Sequence, residues 1–283
     1  MQVEEIVAKS VLVPSRLPAA EYEVNPYTGC AFSCSYCYAS YTGKDVNEPV
    51  NNWGNYVYVK TNAVELFTKE LQNWPRSRRH CSIFLSSVTD AYQGVEKKYR
   101  LTRGILEVLA RENYPGPVSI LTKSPLVLRD VDLLKRIPHA EVGVTVTTTD
   151  DAVSKLIEVH APSASARLDT LKRLHARRIS TYAFVGPLLP HYLYQPEKLD
   201  DLFRSIAQAG VKYLFVEHLN LSTYIKNRLI QFLKENSPGL EQMYLSSDTD
   251  HHREALEKLV LELIDRYSLS LILGKVLLHR RRD

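Results

Sequence analysis

Three cysteines fall within eight residues, Cys30, Cys34 and Cys37, in the spacing Cys-x3-Cys-x2-Cys. Tyr36 and Tyr38 flank the last of them. Thiolates are soft ligands that suit zinc or an iron–sulfur cluster. A structural zinc ion takes four protein ligands. This loop offers three close ligands and no convincing fourth, which favours a [4Fe–4S] cluster with one iron open to an external ligand. A zinc site and three buried free thiols are the alternatives on spacing alone. Cys81 stands far from the loop and reads as a buried free cysteine.

Further polar groups follow short apolar runs. Ser86-Ser87-Val88-Thr89-Asp90-Ala91-Tyr92-Gln93 comes straight after one. Its hydroxyls and carboxylate, at Ser86, Thr89 and Asp90, can accept from an ammonium group. Lys123 follows Val118–Thr122 and supplies a point charge for a carboxylate. Thr145 and Thr147 share one face of a β-branched run. Gly186-Pro187 closes another run and allows close backbone approach. Glu217-His218-Leu219-Asn220 closes the last, and either faces a substrate or caps the next helix.

The elements that must carry these groups alternate. Strands are expected at 21–25, 82–86, 118–122, 141–147, 180–185 and 211–217. Helices are expected at 61–74, 102–113, 130–137, 166–177 and 197–209, with Arg129 and Asp130 capping the third. Strand–helix alternation of this length implies a parallel sheet. About six units make a partial (β/α)6 TIM-like barrel, open where eight units would close it. In such α/β folds the chemistry lies at the carboxyl ends of the strands, where all the groups above fall. Residues 1–21 read as an irregular lead-in and 40–58 as a loop. The tail reads as helix 221–235, strand 242–246, helix 251–266 and strand 269–278. Two regions are therefore expected, a barrel over 1–220 and a small C-terminal α/β annex over 221–283.

Composition sets the outer limits. At 283 residues, 45% hydrophobic and 24% charged, the chain is ordinary globular material able to bury a large core. Clustered cysteines exclude a disulfide framework and fit a reducing, cytoplasmic setting. No apolar run is long enough for a membrane helix, and the start is no signal peptide. The net charge of +4 permits a nucleic acid partner without demanding one. The basic runs at Arg76–Arg79, Lys172–Arg178 and His279–Arg282 read as solvated faces or tail.

The longer string NPYTGCAFSCSYCYA, residues 25–39, resembles the radical S-adenosylmethionine (SAM) superfamily, and within it the branch that contains spore photoproduct lyase. Residues 86–93 are similar to that branch's SSxTDxYQ signature. Residues 121–130 are similar to TKSPL…RD, and 157–163 to EPxAPS with Arg167 beyond it. The likeness covers about residues 20–190, with the motifs in family order.

The resemblance implies a [4Fe–4S] cluster on Cys30, Cys34 and Cys37, with SAM at the open iron. Reductive cleavage of SAM would give a 5′-deoxyadenosyl radical that abstracts hydrogen from an unidentified substrate. It places Tyr36, with Ala39 nearby, and the Gly186-Pro187 turn beside adenine. The methionine amine falls to Ser86, Thr89 and Asp90, and its carboxylate to Lys123 and Thr145. Tyr36 and Tyr38 match positions used in hydrogen transfer. A flavodoxin- or ferredoxin-type electron donor is implied.

Two departures stand out. Relatives often have Pro where Ala91 and Gly94 stand, which implies a looser loop. The hydrogen-donating Cys of the photoproduct lyases is replaced by Ser87. Its O–H bond is too strong for that donation, which weighs against a DNA-repair lyase. A non-catalytic metal-binding protein is the remaining alternative.

Overall fold

The computed structural model describes residues 1–278. The chain enters through β1 (Gln2–Ile6) and β2 (Leu12–Pro14), then β3 (Tyr22–Val24) and β4 (Tyr27–Thr28) on either side of the turn that leads into the cysteine loop. After the loop come β5 (Tyr56–Lys60) and α1 (Ala63–Gln72). The alternation then runs β6 (Ile83–Leu85), α2 (Glu96–Tyr99), α3 (Leu101–Arg111), β7 (Val118–Thr122), α4 (Val131–Leu134) and β8 (Ala140–Thr145). It continues through α5 (Asp151–Ile157), α6 (Ala164–Ala176), β9 (Ser180–Leu188), α7 (Pro196–Gln208) and β10 (Tyr213–His218). The tail holds α8 (Thr223–Asn236), α9 (Leu240–Ser246), α10 (Asp250–Arg266) and β11 (Ser270–Leu271).

The main sheet has the order β11-β10-β9-β8-β7-β6-β3-β2. Every neighbouring pair is parallel except β2 with β3. The six strands anticipated from the sequence, β3 and β6 to β10, lie side by side in chain order. Such order follows from repeated right-handed crossovers. The sheet ends at β2 and β11 and does not close, as an open partial barrel requires.

Period-two alternation divides each strand between two environments. Val118, Ile120, Val142, Val144, Ala183, Val185, Leu214 and Val216 are wholly buried on the side that meets the helices. The opposite, inner face carries Ser119, Gly143, Tyr182 and Phe215. The Tyr182 and Phe215 rings pack at 5.2 Å, and the Ser119 and Tyr182 hydroxyls are 3.1 Å apart. Gly143 is required there: a Cβ would fall 2.1 Å from the Tyr182 ring. This inner face leads up to Ser86, Lys123, Thr145, Gly186 and Glu217 at or beyond the carboxyl ends.

Several expectations need correction. The lead-in and the 40–58 loop contribute β1 and β5, which pair in parallel and join β4 in a separate three-stranded sheet. The stretch after β8 holds a helix, α5, because Asp150 caps it by accepting from the amides of Ala152 and Val153. The run 242–246 is helical, not extended. Its apolar residues are too few to fix a period, and burial of Tyr244 decides the matter. The expected strand 269–278 shrinks to β11 and a bridge from Leu277 to Glu217. Asp130 stands at the N-cap of α4, but neither its side chain nor that of Arg129 makes a cap bond there. They join Glu96 and Arg103 in a mostly buried ion network. The run His279–Arg282 lies outside the described residues.

Candidate active site

The cysteine loop begins at Gly29, whose φ of +87° suits glycine. A Cβ there would meet the Tyr56 carbonyl at 2.5 Å. Cys30 and Cys34 are buried, Cys37 is half-buried, and all three are free thiols. Burial pushes the thiols of all three up, that of Cys34 to about 12. A soft metal binds the thiolate form, so loading is coupled to proton release. Among the described residues no group of three or more His, Cys, Asp or Glu is placed to hold a single metal ion. In a cubane each iron takes its own cysteine, so the thiols need not converge on one point.

The motif at 86–93 straps the loop. Thr89 Oγ1 donates to the Gly29 carbonyl at 2.6 Å and accepts from Gln93 Nε2 at 2.8 Å. Gln93 is fully buried, and its Oε1 accepts from the Ala31 amide at 2.9 Å. Asp90 accepts from the Tyr92 amide, Thr122 Oγ1 and the Lys123 amide at 2.7–2.8 Å. It ties the ends of β6 and β7 together and sets Lys123 in place. Thr102 Oγ1 donates to the Ala91 carbonyl at 2.6 Å. The loop without prolines is therefore held by side-chain bonds, contrary to the looseness expected of it. Ser86, at φ +67°, keeps a buried hydroxyl with no protein partner.

On the other side lies the acidic residue of the 157–163 motif, Glu158. Glu158 is wholly buried. Its carboxylate accepts from the Tyr36 phenol and from Ser154 Oγ at 3.1 Å. It pairs with Arg167 at 2.5 Å and with Lys123 at 3.8 Å. The Lys123 ammonium also lies 5.9 Å from the centre of the Tyr36 ring. Burial opposes each charge in this cluster. Arg167 and Lys123 nevertheless hold Glu158 below its ordinary pKa, and Cys34 with Glu158 holds Lys123 above its own. The same segment pairs with the cysteine loop, through Cys34 bridged to Glu158 and the Ser35 amide bonded to the Ile157 carbonyl at 2.8 Å. The His160 amide donates to the Phe32 carbonyl at 3.1 Å while its side chain is exposed.

The remaining candidates are spread round the strand ends. Thr145 is buried at the end of β8, and its carbonyl accepts from Arg167. Thr147 beyond it has a buried hydroxyl with no protein partner. Gly186 and Pro187 lie within β9, so the strand continues through the turn expected there. Ala39 is buried behind the loop. Tyr38 donates to the Ser87 carbonyl at 2.5 Å, and the Ser87 hydroxyl accepts from Asn25 Nδ2 at 3.1 Å. Cys81 is free and half-buried near Tyr114, away from the other cysteines in the fold.

Sequence reasoning missed one more contact. Arg228 of α8 donates one guanidinium nitrogen to the carbonyls of Cys34 and Cys37, at 3.1 and 3.0 Å. Tyr224, one turn earlier, donates to the Tyr38 carbonyl at 2.9 Å. Nothing in the spacing of that helix announces a contact across nearly two hundred residues.

Residues 24–203 match the model of the radical SAM superfamily. An uncharacterized protein, MJ0683, of Methanocaldococcus jannaschii is 39% identical over 241 residues, covering 84% of this chain and 85% of its own. Uncharacterized protein Rv2578c of Mycobacterium tuberculosis is 31% identical, covering 94% of this chain and 81% of its own. Among solved structures, spore photoproduct lyase complexed with dinucleoside spore photoproduct superposes with a TM-score of 0.72 at 16% identity, over 95% of this chain and 81% of that one. SuiB of Streptococcus suis bound to S-adenosylmethionine gives 0.57 at 12% identity, over 92% of this chain and 50% of that one. The structural likenesses carry the fold alone, a partial barrel of the TIM type. The family match, which spans more than half of the chain, carries more: the chain belongs to the radical SAM superfamily.

Proposed function

We propose that the protein is a radical SAM enzyme whose [4Fe–4S] cluster is held by Cys30, Cys34 and Cys37. The observation that carries this reading is the convergence of motifs distant in sequence on one loop. Thr89 and Gln93 bind its entry, and Glu158 links its Tyr36 to Lys123. Three soft donors in a buried, strapped loop fit a cluster with an open iron. When bound, the cluster and SAM supply a 5′-deoxyadenosyl radical by reductive cleavage.

The chain's own groups do the holding. Lys123 offers its ammonium to the SAM carboxylate and shares it with Glu158. Thr145 lies on the next strand. The unpartnered Ser86 hydroxyl and the free lone pair on Thr89 Oγ1 suit the methionine ammonium. Asp90, with three protein donors, acts through the backbone it positions. Tyr36, fixed by Glu158, and the Gly186–Pro187 segment of β9 flank the adenine. Tyr38, held against the Ser87 carbonyl, stands next in line toward the substrate.

The substrate is a separate question. Ser87 is bonded to Asn25 and cannot replace a thiol as hydrogen donor, so photoproduct lyase chemistry by that route is disfavoured. Turnover of dinucleoside spore photoproduct would overturn that exclusion. The radical reading itself is tested by anaerobic reconstitution, followed by assay for 5′-deoxyadenosine with dithionite and SAM.

A further inference from the structure

The family model ends at residue 203, and Arg228 lies beyond it. Its guanidinium reaches back across the barrel mouth and bonds the main chain of two of the three cysteine residues. A hydroxyl could satisfy one carbonyl; here a full positive charge lies against both Cys34 and Cys37. Its Nε is buried without a partner. Its nearest titratable neighbours are Cys37, Cys34, Tyr224 and Tyr56, with no carboxylate among them. Most arginines at buried sites are paired to acids, as Arg167, Arg129 and Arg103 are here. Arg228 is directed at the loop instead. Partial burial of this charge, with no acid paired to it among the described residues, works against folding, so a negative partner in the loaded protein would offset a cost already present in the fold.

Resting on the radical SAM reading, we propose that Arg228 is the positioning cation of the cluster, raising its reduction potential and so making it reducible by a biological donor. Reduction adds one electron to the cluster. A fixed positive charge nearby, in surroundings of low polarity, stabilises the reduced form over the oxidised one. Hydrogen bonds and charge around cluster ligands are recognised levers on potential. The helix that carries Arg228 also holds the Tyr38 carbonyl through Tyr224, so the tail presents the charge from a rigid element.

The experiment is a redox titration of the anaerobically reconstituted protein, followed by electron paramagnetic resonance, with iron and sulfide content measured in parallel. Arg228→Met removes charge and donor, Arg228→Gln keeps a donor, and Arg228→Lys keeps the charge. Poised where half the wild-type cluster is reduced, the Met and Gln variants should show a reduced-to-oxidised ratio lower by about tenfold, or ~59 mV for one electron. The Lys variant should stay close to wild type. A Gln variant that titrates like wild type with full iron content would overturn the proposal, as would a Lys variant that titrates like Met. Folded neutral variants that take up no iron would also overturn it, because Arg228 would then build the loop. The cluster reading fails separately, if wild-type protein binds no iron–sulfur cluster.

Discussion

The two sides of the barrel mouth are built differently. On the side of β6, β7 and β8, the charged groups and amides at the strand ends are tied to one another and through one another to the cysteine loop, with the Ser86 and Thr147 hydroxyls left over. Thr89, Asp90, Gln93, Lys123 and Glu158 all have named partners. On the side of β9, β10 and the tail, buried polar atoms make no hydrogen bond among the described residues: His191 Nε2, Gln195 Oε1, Ser222 Oγ, His252 Nε2 and His218 Nε2, the last 3.9 Å from the Glu257 carboxylate. Unpaired buried groups cost free energy unless water or a ligand meets them. The first side is pre-assembled for a cofactor of fixed shape. The second is less committed, and its histidines face the helices and not the inner wall. His218, for instance, follows the inner-facing Glu217 and lines a water-sized cavity of about 20 Å³ with His252 and Arg253. On the function proposed above, SAM specificity belongs to the strapped half, and the other half is free to vary with substrate.

The sharpest way to break this contrast is at Glu158. Glu158→Gln leaves Arg167 and Lys123 without their buried counter-charge. Loss of one partner from a buried pair is costly, so we expect destabilisation of about 3–5 kcal/mol by denaturant melting. A change below ~1 kcal/mol would mean that the strapped side does not depend on its hub.

Lys123→Ala comes next. It should weaken SAM binding roughly 10- to 100-fold, the worth of one charge-assisted contact, while leaving the cluster absorbance intact. Equilibrium binding with the loaded protein reads the first quantity and the visible spectrum the second. Loss of the cluster would place Lys123 in the loop's assembly and not in cofactor binding.

The smallest effect belongs to the uncommitted side. Burial lowers the pKa of His191 and of His218 to about 4, and also lowers that of His252. The unfolded chain binds protons near pH 6.5 that the folded chain refuses until about pH 4, so stability rises with pH across that window. Stability, followed by the thermal midpoint, should fall as pH drops from 6.5 towards 4, by on the order of 1 kcal/mol each for His191 and His218. His218→Gln should make the fall shallower. An unchanged slope would show that His218 is satisfied by something that also accepts its proton.

Legibility followed the same division. The cysteine loop, Thr89, Lys123 and Thr145 could be nominated from sequence because their signals are local: a spacing, or a polar residue just past an apolar strand. The six parallel strands were legible from alternation and apolar runs. Glu158 was half legible, since its motif was visible but not the burial that makes it a hub. The short strands β1 and β5 were lost because exposed QVEEI and buried YVYVK show no clean period by themselves. Arg228 was beyond reach. Helical spacing says which face is apolar, but not that one cation at its edge meets a loop 191 residues away.

The central claim is that the strapped side holds a cluster able to cleave SAM, and one measurement tests it directly. Wild-type protein and Cys37→Ala are reconstituted anaerobically with iron and sulfide, then given dithionite and SAM. 5′-Deoxyadenosine formed by the wild type, and reduced to background by Cys37→Ala, is the predicted result. Wild-type protein that carries four irons and four sulfides yet forms no 5′-deoxyadenosine would contradict the account and leave a metal-binding protein without the chemistry of its superfamily.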